Sequence, residues 1–471
     1  MSNSNHKILK SAGQFHDRTS RKFKTVLCHG VFDVLHAGHL SYFLEAKSHG
    51  EMLIVSITPD RYVNKGPGRP YFHESIRAQM LAALEIVDFV VINDSPTAVS
   101  VIDLLKPDVY VKGPDYRDHS KDVTGEILNE VRAVESYGGK VVYTETETFS
   151  SSTLVNKFFN QFSDEQLRVI EIVKSKGGME YINSVLDKIS GLSVAVIGET
   201  IIDTYRFVDP QNISSKSPSI SAKFLFEENY FGGAAAIVNH LETFVKRVNF
   251  VSTDNAKKIR YISNDKQQRI FEVTHIDESP IKDELAFIDR MYLATYKSDV
   301  AILADFGHGL FENKILEWCA ALKLFVALNV QSNSSNYGFN PFTKHSRFDY
   351  LSIDLREAKV AFHDNRSSPR ELIDRVAESC GKISKYSVTL GSNGSEYCGI
   401  SSPAFTDNVV DATGAGDAYF AITSLLAKVE CEPALIPFLG NVFAGLKTKI
   451  IGNKSAVTKA QFMKALTAIL K

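Results

Sequence analysis

Short apolar runs rich in β-branched residues recur along this chain, and segments with helical periodicity separate them. In the first third these runs are KTVLCHG, MLIVSIT, DFVVI, DVYVKG and KVVYTE. Neighbouring parallel strands need a crossover connection, which is usually a helix. The alternation therefore predicts an α/β fold, in which a parallel sheet carries helices on both faces.

The same pattern starts a second time at Leu192. The runs there are LSVAVIGETIID, VAILADFGHG, LFVALNV, YLSID and YSVTLG, and a charged helical segment broken at Gly177 and Gly178 precedes them. A chain of 471 residues exceeds the roughly 250 to 300 at which single cores stop growing. We predict a flexible arm at 1–22, a first domain at 23–162, a helical linker at 163–190 and a second α/β domain at 191–471.

Composition excludes several functional classes. The chain has 53 Lys and Arg and 55 Asp and Glu, so its net charge is close to zero. It therefore lacks the overall positive charge that would favour nucleic acid or an anionic membrane as a partner. The start of the chain lacks the apolar run of a signal peptide, and no stretch of about 18 apolar residues occurs. The five cysteines form no close CxxC pair and fit reduced thiols. The cysteines and the lack of a signal peptide predict a cytoplasmic protein. The near-zero net charge, together with the two phosphate-binding motifs described below, disfavours a non-enzymatic adaptor or nucleic-acid-binding protein.

The most specific motif follows the first predicted strand. It has the form GxFDxxHxGH, and its members are Gly30, Phe32, Asp33, His36, Gly38 and His39. A helix N-terminus favours phosphate, and two histidines three apart share a face and can reach one triphosphate. A polar helix start or a metal pair is the alternative interpretation of an isolated HxxH, but the complete string between strand and helix favours a phosphate site.

This string resembles that of the cytidylyltransferase-like nucleotidyltransferases, and the resemblance continues through about residue 160. It implies transfer of a nucleotidyl group from a nucleoside triphosphate to a sugar phosphate, with release of pyrophosphate. His36 and His39 would stabilise the transition state with Mg²⁺, and Lys65 and Arg77 would be further charge partners. The resemblance implies that the nucleotide-binding residues are Gly30, Phe32, Asp33, Lys65, Arg77, Lys112, Asp115, Ser150, Ser151 and Ser152.

Within that family the KGPDY segment and the serine-rich helix start look most like the ADP-heptose-forming branch. Pro114 stands where a second glycine is more usual. The base of the nucleotide and the sugar therefore stay open at this point.

A second glycine-rich turn precedes an apolar helix near the C-terminus. Its string DATGAGD contains Asp411, Thr413, Gly414, Ala415, Gly416 and Asp417. Backbone N–H groups of residues 414–417 would surround the γ-phosphate oxygens as an anion hole, and Asp417 would accept the proton of the attacking hydroxyl. A purely structural turn before a helix is the alternative for a bare GxGD.

This half resembles the ribokinase or phosphofructokinase-B superfamily of sugar kinases. The resemblance implies that ATP and a sugar are bound and that Asp417 is the catalytic base. For the sugar it implies Asp203, Gly232, Gly233 and Asn239. For the nucleotide it implies Thr389, Gly391, Gly394 and Asn441, in addition to the DATGAGD residues. Glu357 matches the acid of a metal-linked motif in which Asp354 replaces the usual asparagine.

Several positions depart from this second family. Ala236 stands where a substrate-contacting asparagine is usual, Glu199 replaces an aspartate and His308 replaces a lysine. These changes predict an altered sugar pocket. The stretch NFVSTDNAKKIRYIS passes from one strand to the next within a few residues, where such kinases place a helix and another strand. We therefore expect that one structural piece of the family is missing.

Together the two halves predict a bifunctional enzyme of nucleotide-sugar synthesis, which phosphorylates a sugar with ATP and activates a sugar phosphate, heptose phosphate being favoured. The combination resembles bifunctional heptose-activating enzymes with the domain order reversed, and this resemblance implies a homodimer. Two alternatives stay open. The kinase half could be a degenerate module for binding or dimerisation, and the first half could be a CTP:polyol-phosphate cytidylyltransferase.

Overall fold

A computed structural model of the chain describes residues 5–9, 14–15, 23–63, 69–117, 126–145, 162–213, 220–265, 268–277, 279, 281–332, 338–381, 385–406 and 409–470. The chain divides into two compact units. The first consists of Met1–Ser163 with Ala460–Lys471, and the second of Asp164–Lys459. Two differences from the predicted boundaries follow: the charged helical segment groups with the second unit, and the C-terminal residues group with the first.

The first unit contains a six-stranded sheet in which every pairing is parallel, in the order β1-β4-β3-β2-β5-β6. Its strands are β1 (Ile8–Leu9), β2 (Thr25–Gly30), β3 (Met52–Ile57), β4 (Phe89–Ile92), β5 (Val109–Lys112) and β6 (Lys140–Tyr143). The predicted parallel sheet is therefore confirmed. The strand order reverses between β2 and β5, and ligands of open α/β sheets bind outside the carboxyl ends of the strands at such a point.

Helices connect these strands and cover both faces of the sheet. They are α1 (Ala37–Lys47), α2 (Glu74–Ala82), α3 (Val99–Leu105) and α4 (Ile127–Glu135). Along β2, Val26 and Cys28 belong to one hydrophobic cluster, whereas Leu27 between them belongs to another. Because successive strand residues point to opposite faces, both faces of this central strand are buried.

The N-terminal arm contributes to this sheet, which corrects the prediction of a flexible arm at 1–22. Ile8 and Leu9 pair in parallel with Val90 and Val91 at the sheet edge. Leu9 is buried, and so is Phe15. Two paired residues are too short a run to show strand periodicity, so only the tertiary partner reveals them.

The second unit contains a ten-stranded sheet in the order β10-β9-β7-β11-β12-β13-β14-β15-β16, with β8 also paired to β7. Five pairings are parallel, and the hairpin pairings β7/β8, β9/β10, β14/β15 and β15/β16 are antiparallel. The strands are β7 (Ser193–Ile213), β8 (Ile220–Gly233), β9 (Arg247–Ser263), β10 (Gln268–Ile276), β11 (Val300–Asp305), β12 (Phe325–Val330), β13 (Tyr350–Asp354), β14 (Lys385–Thr389), β15 (Ser395–Tyr397) and β16 (Ile400–Ser402).

The remaining helices belong to this part of the chain and to its C-terminus. They are α5 (Asp164–Ser175), α6 (Gly178–Ser190), α7 (Ala234–Leu241), α8 (Glu284–Thr295), α9 (Asn313–Ala320), α10 (Leu355–Ala361), α11 (Pro369–Cys380), α12 (Ala415–Lys428), α13 (Leu435–Lys447) and α14 (Lys459–Leu470). Gly177, with a φ of 101°, lies between α5 and α6, at the predicted break. No described helix is long and apolar enough to span a membrane.

The stretch NFVSTDNAKKIRYIS forms one continuous strand. β9 pairs in parallel with the first part of β7, passes a register shift between Glu199 and Ile201 of β7, and then pairs with its second part up to Val208. Residues 247–263 thus contain neither the helix nor the additional strand that the kinase resemblance implies at this place. The sequence predicted passage from one strand to the next here, whereas the structure has a single strand; that a piece of the kinase family is missing stays a prediction.

Candidate active sites

The GxFDxxHxGH string forms the connection between β2 and α1. His36 is the residue that caps the helix N-terminus and has extended backbone angles, and His39 lies in the first turn. Their imidazole rings stack with centroids 3.9 Å apart and an interplanar angle of 30°. Both side chains are partly exposed. The two rings therefore share a face, as the spacing predicts, beside the positive end of the helix dipole.

Phe32 positions this histidine pair. Its backbone has a φ of 48°, a region that residues other than glycine rarely adopt. Its ring contacts the rings of His39 and Phe43, with centroids 5.4 and 5.1 Å away. A Cβ on Gly30 would lie 3.0 Å from the same ring. The glycine at the strand end thus provides the space in which the Phe32 ring supports His39.

Asp33 is buried and bound to the segment that follows the predicted basic loop. Its two carboxylate oxygens accept the backbone N–H groups of Tyr71 and Phe72, both at 3.0 Å. Arg69 Nη1 lies 3.3 Å from Asp33 Oδ2. Asp33 therefore holds the main chain at Tyr71 and Phe72, and its contact with the nucleotide stays a prediction.

Arg77 is also bound within the protein. Its side chain is fully buried and donates to the carbonyl oxygens of Phe72, Val31 and Thr58 at 2.9, 2.5 and 2.9 Å. It also forms an ion pair with the Asp60 carboxylate at 2.6 Å. The enclosed guanidinium therefore links the segments around the site, and its predicted contact with a phosphate stays a prediction. The sequence shows that α2 contains an arginine, but it does not show that the carbonyl oxygens of other segments surround the guanidinium group.

Lys112 ends β5 and starts the KGPDY segment. Its Nζ lies 2.7 Å from Glu130 Oε2 in a nearly buried ion pair, and 4.6 Å from the centroid of the Tyr116 ring. Asp115 and Tyr116 are exposed in the short 3-10 helix that follows. Lys112 therefore carries a partly compensated charge, whereas Asp115 and Tyr116 face solvent.

The sheet brings the histidine loop and the KGPDY segment together. Val26 and Cys28 of β2 pair with Val109 and Val111 of β5, so both segments leave the carboxyl ends of neighbouring strands. This is the point at which the strand order reverses. Lys65, Ser150, Ser151 and Ser152 lie outside the described residues.

His29 is a residue of this site that the sequence analysis missed. It lies at the end of β2, with Nδ1 3.1 Å from Ser56 Oγ and Nε2 3.3 Å from Thr58 Oγ1. Burial and the Lys112 charge lower the pKa of His29 to about 3, which keeps the ring neutral. Its position directly before the motif was the available signal.

The second unit has a cavity of about 200 Å³ at the carboxyl ends of its parallel strands. Its predicted lining residues are Asp354, Glu357, Thr389, Gly414, Gly416 and Asp417, and the lining residues that sequence analysis missed include Asn329, Gln331 and Ser332. Strand register explains the assembly: Asn329 pairs with Ser352, and Asp354 pairs with Thr389. The missed residues follow a predicted strand but belong to no motif.

Asp417 lies in the first turn of α12, behind Gly414. Gly414 has a φ of 76°, which glycine adopts without strain. The Asp417 carboxylate is buried and accepts a hydrogen bond from the Gln331 amide. Burial raises the pKa of Asp417 to about 6, against the opposing effects of Gln331 and Lys447. The carboxylate therefore holds its proton up to a higher pH than an exposed aspartate does, and the catalytic role of Asp417 stays a prediction.

The turn before α12 is held by hydrogen bonds within the unit. The Asp411 carboxylate accepts the backbone N–H groups of Thr413 and Gly452 at 2.9 and 2.8 Å. The Ala415 N–H donates to the Ala412 carbonyl at 3.2 Å. A Cβ on Gly416 would meet nothing within 4 Å. Open space thus lies in front of the turn, while Ala415 uses its N–H inside the turn rather than toward a ligand.

Asp354 and Glu357 form a capping box at the start of α10. Glu357 Oε2 accepts the Asp354 N–H at 2.7 Å, and Oε1 accepts the Ser332 N–H at 3.3 Å. Burial raises the pKa of Glu357. Both carboxylates line the cavity. Among the described residues no cluster of His, Cys, Asp and Glu could hold a metal ion alone, so a metal here would also need ligands from phosphate or water.

The predicted sugar aspartate, Asp203, has an internal counter-charge. Its carboxylate forms an ion pair with Arg260 of β9, and Asn453 Nδ2 donates to Oδ2 at 3.3 Å. A Cβ on Gly232 would lie 2.6 Å from the same oxygen, and one on Gly233 would lie 2.4 Å from the Glu199 carbonyl. Close packing against Asp203 therefore requires Gly232, and close packing against the Glu199 main chain requires Gly233.

Asn239 does not join this group. Its side chain is exposed on α7, whereas Ala236, Ile237 and His240 are buried. Position 239 thus lies outside the buried face of the helix, and the contact of Asn239 with a sugar stays a prediction.

The unusual Glu199 supports the ADFGHG turn. Its carboxylate accepts the backbone N–H groups of Phe306, His308 and Leu310 at 2.6, 2.8 and 3.0 Å. Burial and the nearby Asp305 carboxylate raise the pKa of Glu199. The longer glutamate side chain thus fixes the turn that carries His308.

The predicted nucleotide-side residues meet around Ser402. Asn441 Nδ2 donates to the carbonyls of Ser402 and Pro403 at 2.9 and 3.1 Å. Gly394 has a φ of 92°, and a Cβ there would lie 2.1 Å from the Ser402 carbonyl oxygen. Gly391, with a φ of 61°, starts the same turn. Asn441 and Gly394 therefore shape this segment through main-chain contacts.

Comparison with known proteins agrees with the division of the chain. Residues 27–158 match the Cytidylyltransferase-like family. The bifunctional protein HldE of Campylobacter fetus subsp. fetus is 45% identical over 143 residues, which cover 30% of this chain and 29% of that protein. The bifunctional protein HldE of Geobacter metallireducens is 38% identical over 157 residues, 33% of this chain and 31% of that protein. The chain thus spans less than a third of these curated relatives.

Solved structures are similar to a larger part of the chain at low identity. A ribokinase from Thermotoga maritima has a TM-score of 0.43 and 16% identity, covering 59% of this chain and 99% of that one. An Arabidopsis thaliana ribokinase complexed with ribose and ATP has a TM-score of 0.42 and 16% identity, covering 60% of this chain and 99% of that one.

Proposed function

We propose that this chain is a bifunctional enzyme of nucleotide-sugar synthesis, whose first unit transfers a nucleotidyl group from a nucleoside triphosphate to a sugar phosphate. The observation that carries the proposal is the stacked pair of His36 and His39 at the N-terminus of α1. The pair lies beside the reversal of strand order, where an open α/β sheet binds its ligands.

The chemistry needs charge stabilisation rather than a covalent intermediate. A phosphate oxygen of the sugar phosphate attacks the α-phosphorus, the bond to the bridging oxygen breaks, and pyrophosphate leaves with the electron pair. Negative charge grows on the α-phosphate oxygens and the leaving group, and the two imidazoles with the helix N-terminus lie where they can stabilise it. Phe32, Asp33 and Arg77 hold the loop, and Mg²⁺ on the triphosphate would be carried by phosphate and water oxygens.

We propose heptose phosphate as the acceptor. The KGPDY segment and the similarity to the HldE proteins support this choice over a polyol phosphate. CTP preference with a polyol phosphate would instead favour the cytidylyltransferase alternative.

The test of the transferase is pyrophosphate release with Mg²⁺, a panel of heptose and polyol monophosphates and each nucleoside triphosphate in turn. Release with one pair, abolished in His39→Ala, would support the proposal and identify the substrates. No release with any pair would contradict both the heptose and the polyol versions.

The proposed reaction of the second unit is phosphoryl transfer from ATP to a sugar hydroxyl. Asp417 would take the hydroxyl proton as the sugar oxygen attacks the γ-phosphorus and ADP leaves. Glu357 and Asp354, at the edge of the same cavity, would hold Mg²⁺ through water, and the metal would offset phosphate charge.

One observation favours a second candidate for this unit. Arg260 already neutralises Asp203, so a neutral sugar would have to compete with a buried ion pair. A degenerate kinase serving as a binding or dimerisation module fits this pairing. Phosphorylation of a sugar by the wild-type chain, lost in Asp417→Asn, would reject the degenerate version.

We also propose a homodimer and a cytoplasmic location. The cysteines support a reducing compartment because all five are free, and four are buried. Light scattering of the purified chain tests the dimer, and a mass equal to one chain would reject it.

A further inference from the structure

Lys447 is a fully buried cation in the last turn of α13. Its Nζ donates to the carbonyl oxygens of Thr413 and Gly452 at 2.9 and 2.6 Å. Burying an ammonium group is costly unless it is paired and hydrogen-bonded. The two carbonyls, which come from separate segments, therefore form part of a built cation site.

The same two residues are bound from their N–H sides by Asp411. Thr413 donates to Asp411 Oδ1 at 2.9 Å and Gly452 donates to Oδ2 at 2.8 Å. Lys447 and Asp411 thus hold Thr413 and Gly452 between them, one through the carbonyls and the other through the amides. The Asp411 carboxylate also supplies the negative charge that offsets the buried ammonium.

This arrangement lies directly behind the candidate anion hole. Thr413 immediately precedes Gly414, the residue that caps α12, and Lys447 Nζ lies 3.5 Å from the position of a Cβ built on Gly414. Asp417 follows in the first turn of α12. A displacement of the ammonium would therefore move the main chain that faces the cavity.

We propose that the Lys447 ammonium acts as a tethered monovalent cation, which holds the turn at residues 413–416 in its phosphate-binding shape. The inference rests on the proposed phosphoryl transfer by the second unit. Lys447 is a positioning residue, since its amine bonds to the main chain behind the turn.

The cage around the Lys447 ammonium consists of the carbonyl oxygens of Thr413 and Gly452, with the Asp411 carboxylate as the countercharge. These groups suit a cation better than an uncharged side chain. Backbone carbonyl oxygens can replace the hydration shell of a monovalent cation, and a carboxylate adds the countercharge. Because the Lys447 ammonium is covalently attached, the shape of the wild-type turn should not depend on which cation the buffer contains. If the side chain is shortened, the vacated oxygens should accept a free potassium or ammonium ion.

The experiment compares three variants of the full chain with wild type. Lys447→Ala vacates the cage, Lys447→Met fills it without charge, and Lys454→Ala removes an exposed cation from the same loop as a control. Thermal unfolding and sugar phosphorylation are measured in KCl, NH₄Cl, NaCl and tetramethylammonium chloride at constant ionic strength.

For Lys447→Ala we expect a saturable rise in melting temperature and in kcat with potassium or ammonium, but not with tetramethylammonium. Lys447→Met should be impaired in every salt, and wild type and Lys454→Ala should not discriminate among the cations. Equal melting temperatures of Lys447→Ala in all salts, or a wild type that itself requires potassium, would overturn the inference. Absence of phosphorylation by wild type would contradict only the proposed kinase, because the melting measurement still tests the cage.

Discussion

His36 and His39 stack beside a helix N-terminus, which is where the proposed nucleotidyl transfer needs charge on the phosphate to be stabilised. Replacing His39 by alanine should lower kcat for pyrophosphate release by about 10²- to 10³-fold, the range seen when one donor to a developing oxyanion is removed. Steady-state assays at saturating triphosphate measure this. His49→Ala, beyond the end of the same helix, is the matched control and should retain wild-type kcat. A similar loss in both variants would contradict the role of His39.

Asp417 should give the phosphorylation reaction an acidic limit. Burial raises its pKa to about 6, and only the ionised carboxylate can accept a proton, so kcat should fall as the pH drops through about 6. Asp417→Asn should lower kcat by about 10²- to 10⁴-fold and remove this limb from the pH profile.

The contribution of Asp417 to the stability of the fold should change with pH in the opposite direction to its contribution to kcat. Its folded-state pKa lies above the ordinary value, so its contribution to stability is present at low pH and is lost as the pH rises through about 6. Asp417→Asn should therefore not lower the melting temperature at pH 8. A large fall there would show that the carboxylate has a structural role instead.

Arg77 gives a test that separates positioning from phosphate binding. Removing this buried cation leaves Asp60 and three carbonyls without a donor, so Arg77→Ala should cost about 3–5 kcal/mol of unfolding free energy in a urea titration. Arg61→Ala, which removes a half-exposed pair with Asp94, should cost at most about 1 kcal/mol. A raised KM for triphosphate at unchanged stability would instead support a phosphate contact.

Two capping boxes start neighbouring helices and provide a matched comparison. Asp354 with Glu357 caps α10, and Ser368 with Glu371 caps α11. Asp354→Ala and Ser368→Ala should each cost about 0.5–2 kcal/mol of stability. Of these two capping boxes, the one formed by Asp354 and Glu357 lines the cavity and the other does not. Only Asp354→Ala should therefore raise the Mg²⁺ concentration needed for half-maximal phosphorylation. An equal shift in both variants would contradict the proposed metal role.

The long pair of β7 and β9 continues across one register shift. Parallel pairing continues on both sides of one register shift, so the strand hydrogen bonds resume without an inserted helix. The continuation places Arg260 opposite Tyr205 and beside Asp203. Strand β9 thus supplies the positive charge beside Asp203, at the proposed sugar site.

Each compact unit has its own hydrophobic clusters and its own candidate site. The two activities should therefore be lost independently. His39→Ala should retain wild-type sugar phosphorylation, and Asp417→Asn should retain wild-type pyrophosphate release. Both assays on the same preparations test this, and the loss of both activities in either variant would show that the units depend on each other.

Local patterns in the sequence were sufficient to predict the two α/β units, their central strands and the glycine turns before α1 and α12. Strand periodicity, helix starts and positive-φ glycines are properties of neighbouring residues, so they can be recognised without a partner. His36, His39 and Asp417 lie in such segments, and their placement at helix N-termini agrees with the prediction.

Only the tertiary structure shows which groups pair with the buried charged side chains. Arg260 meets Asp203, Arg77 meets the carbonyls of three segments, and Lys447 meets Thr413 across residues distant in sequence. Such pairs leave no periodic signal, because they depend on which loops the sheet brings to the same edge. The side chains of Arg77 and Lys447 are thus bound by main chain in the fold, since buried polar groups require partners.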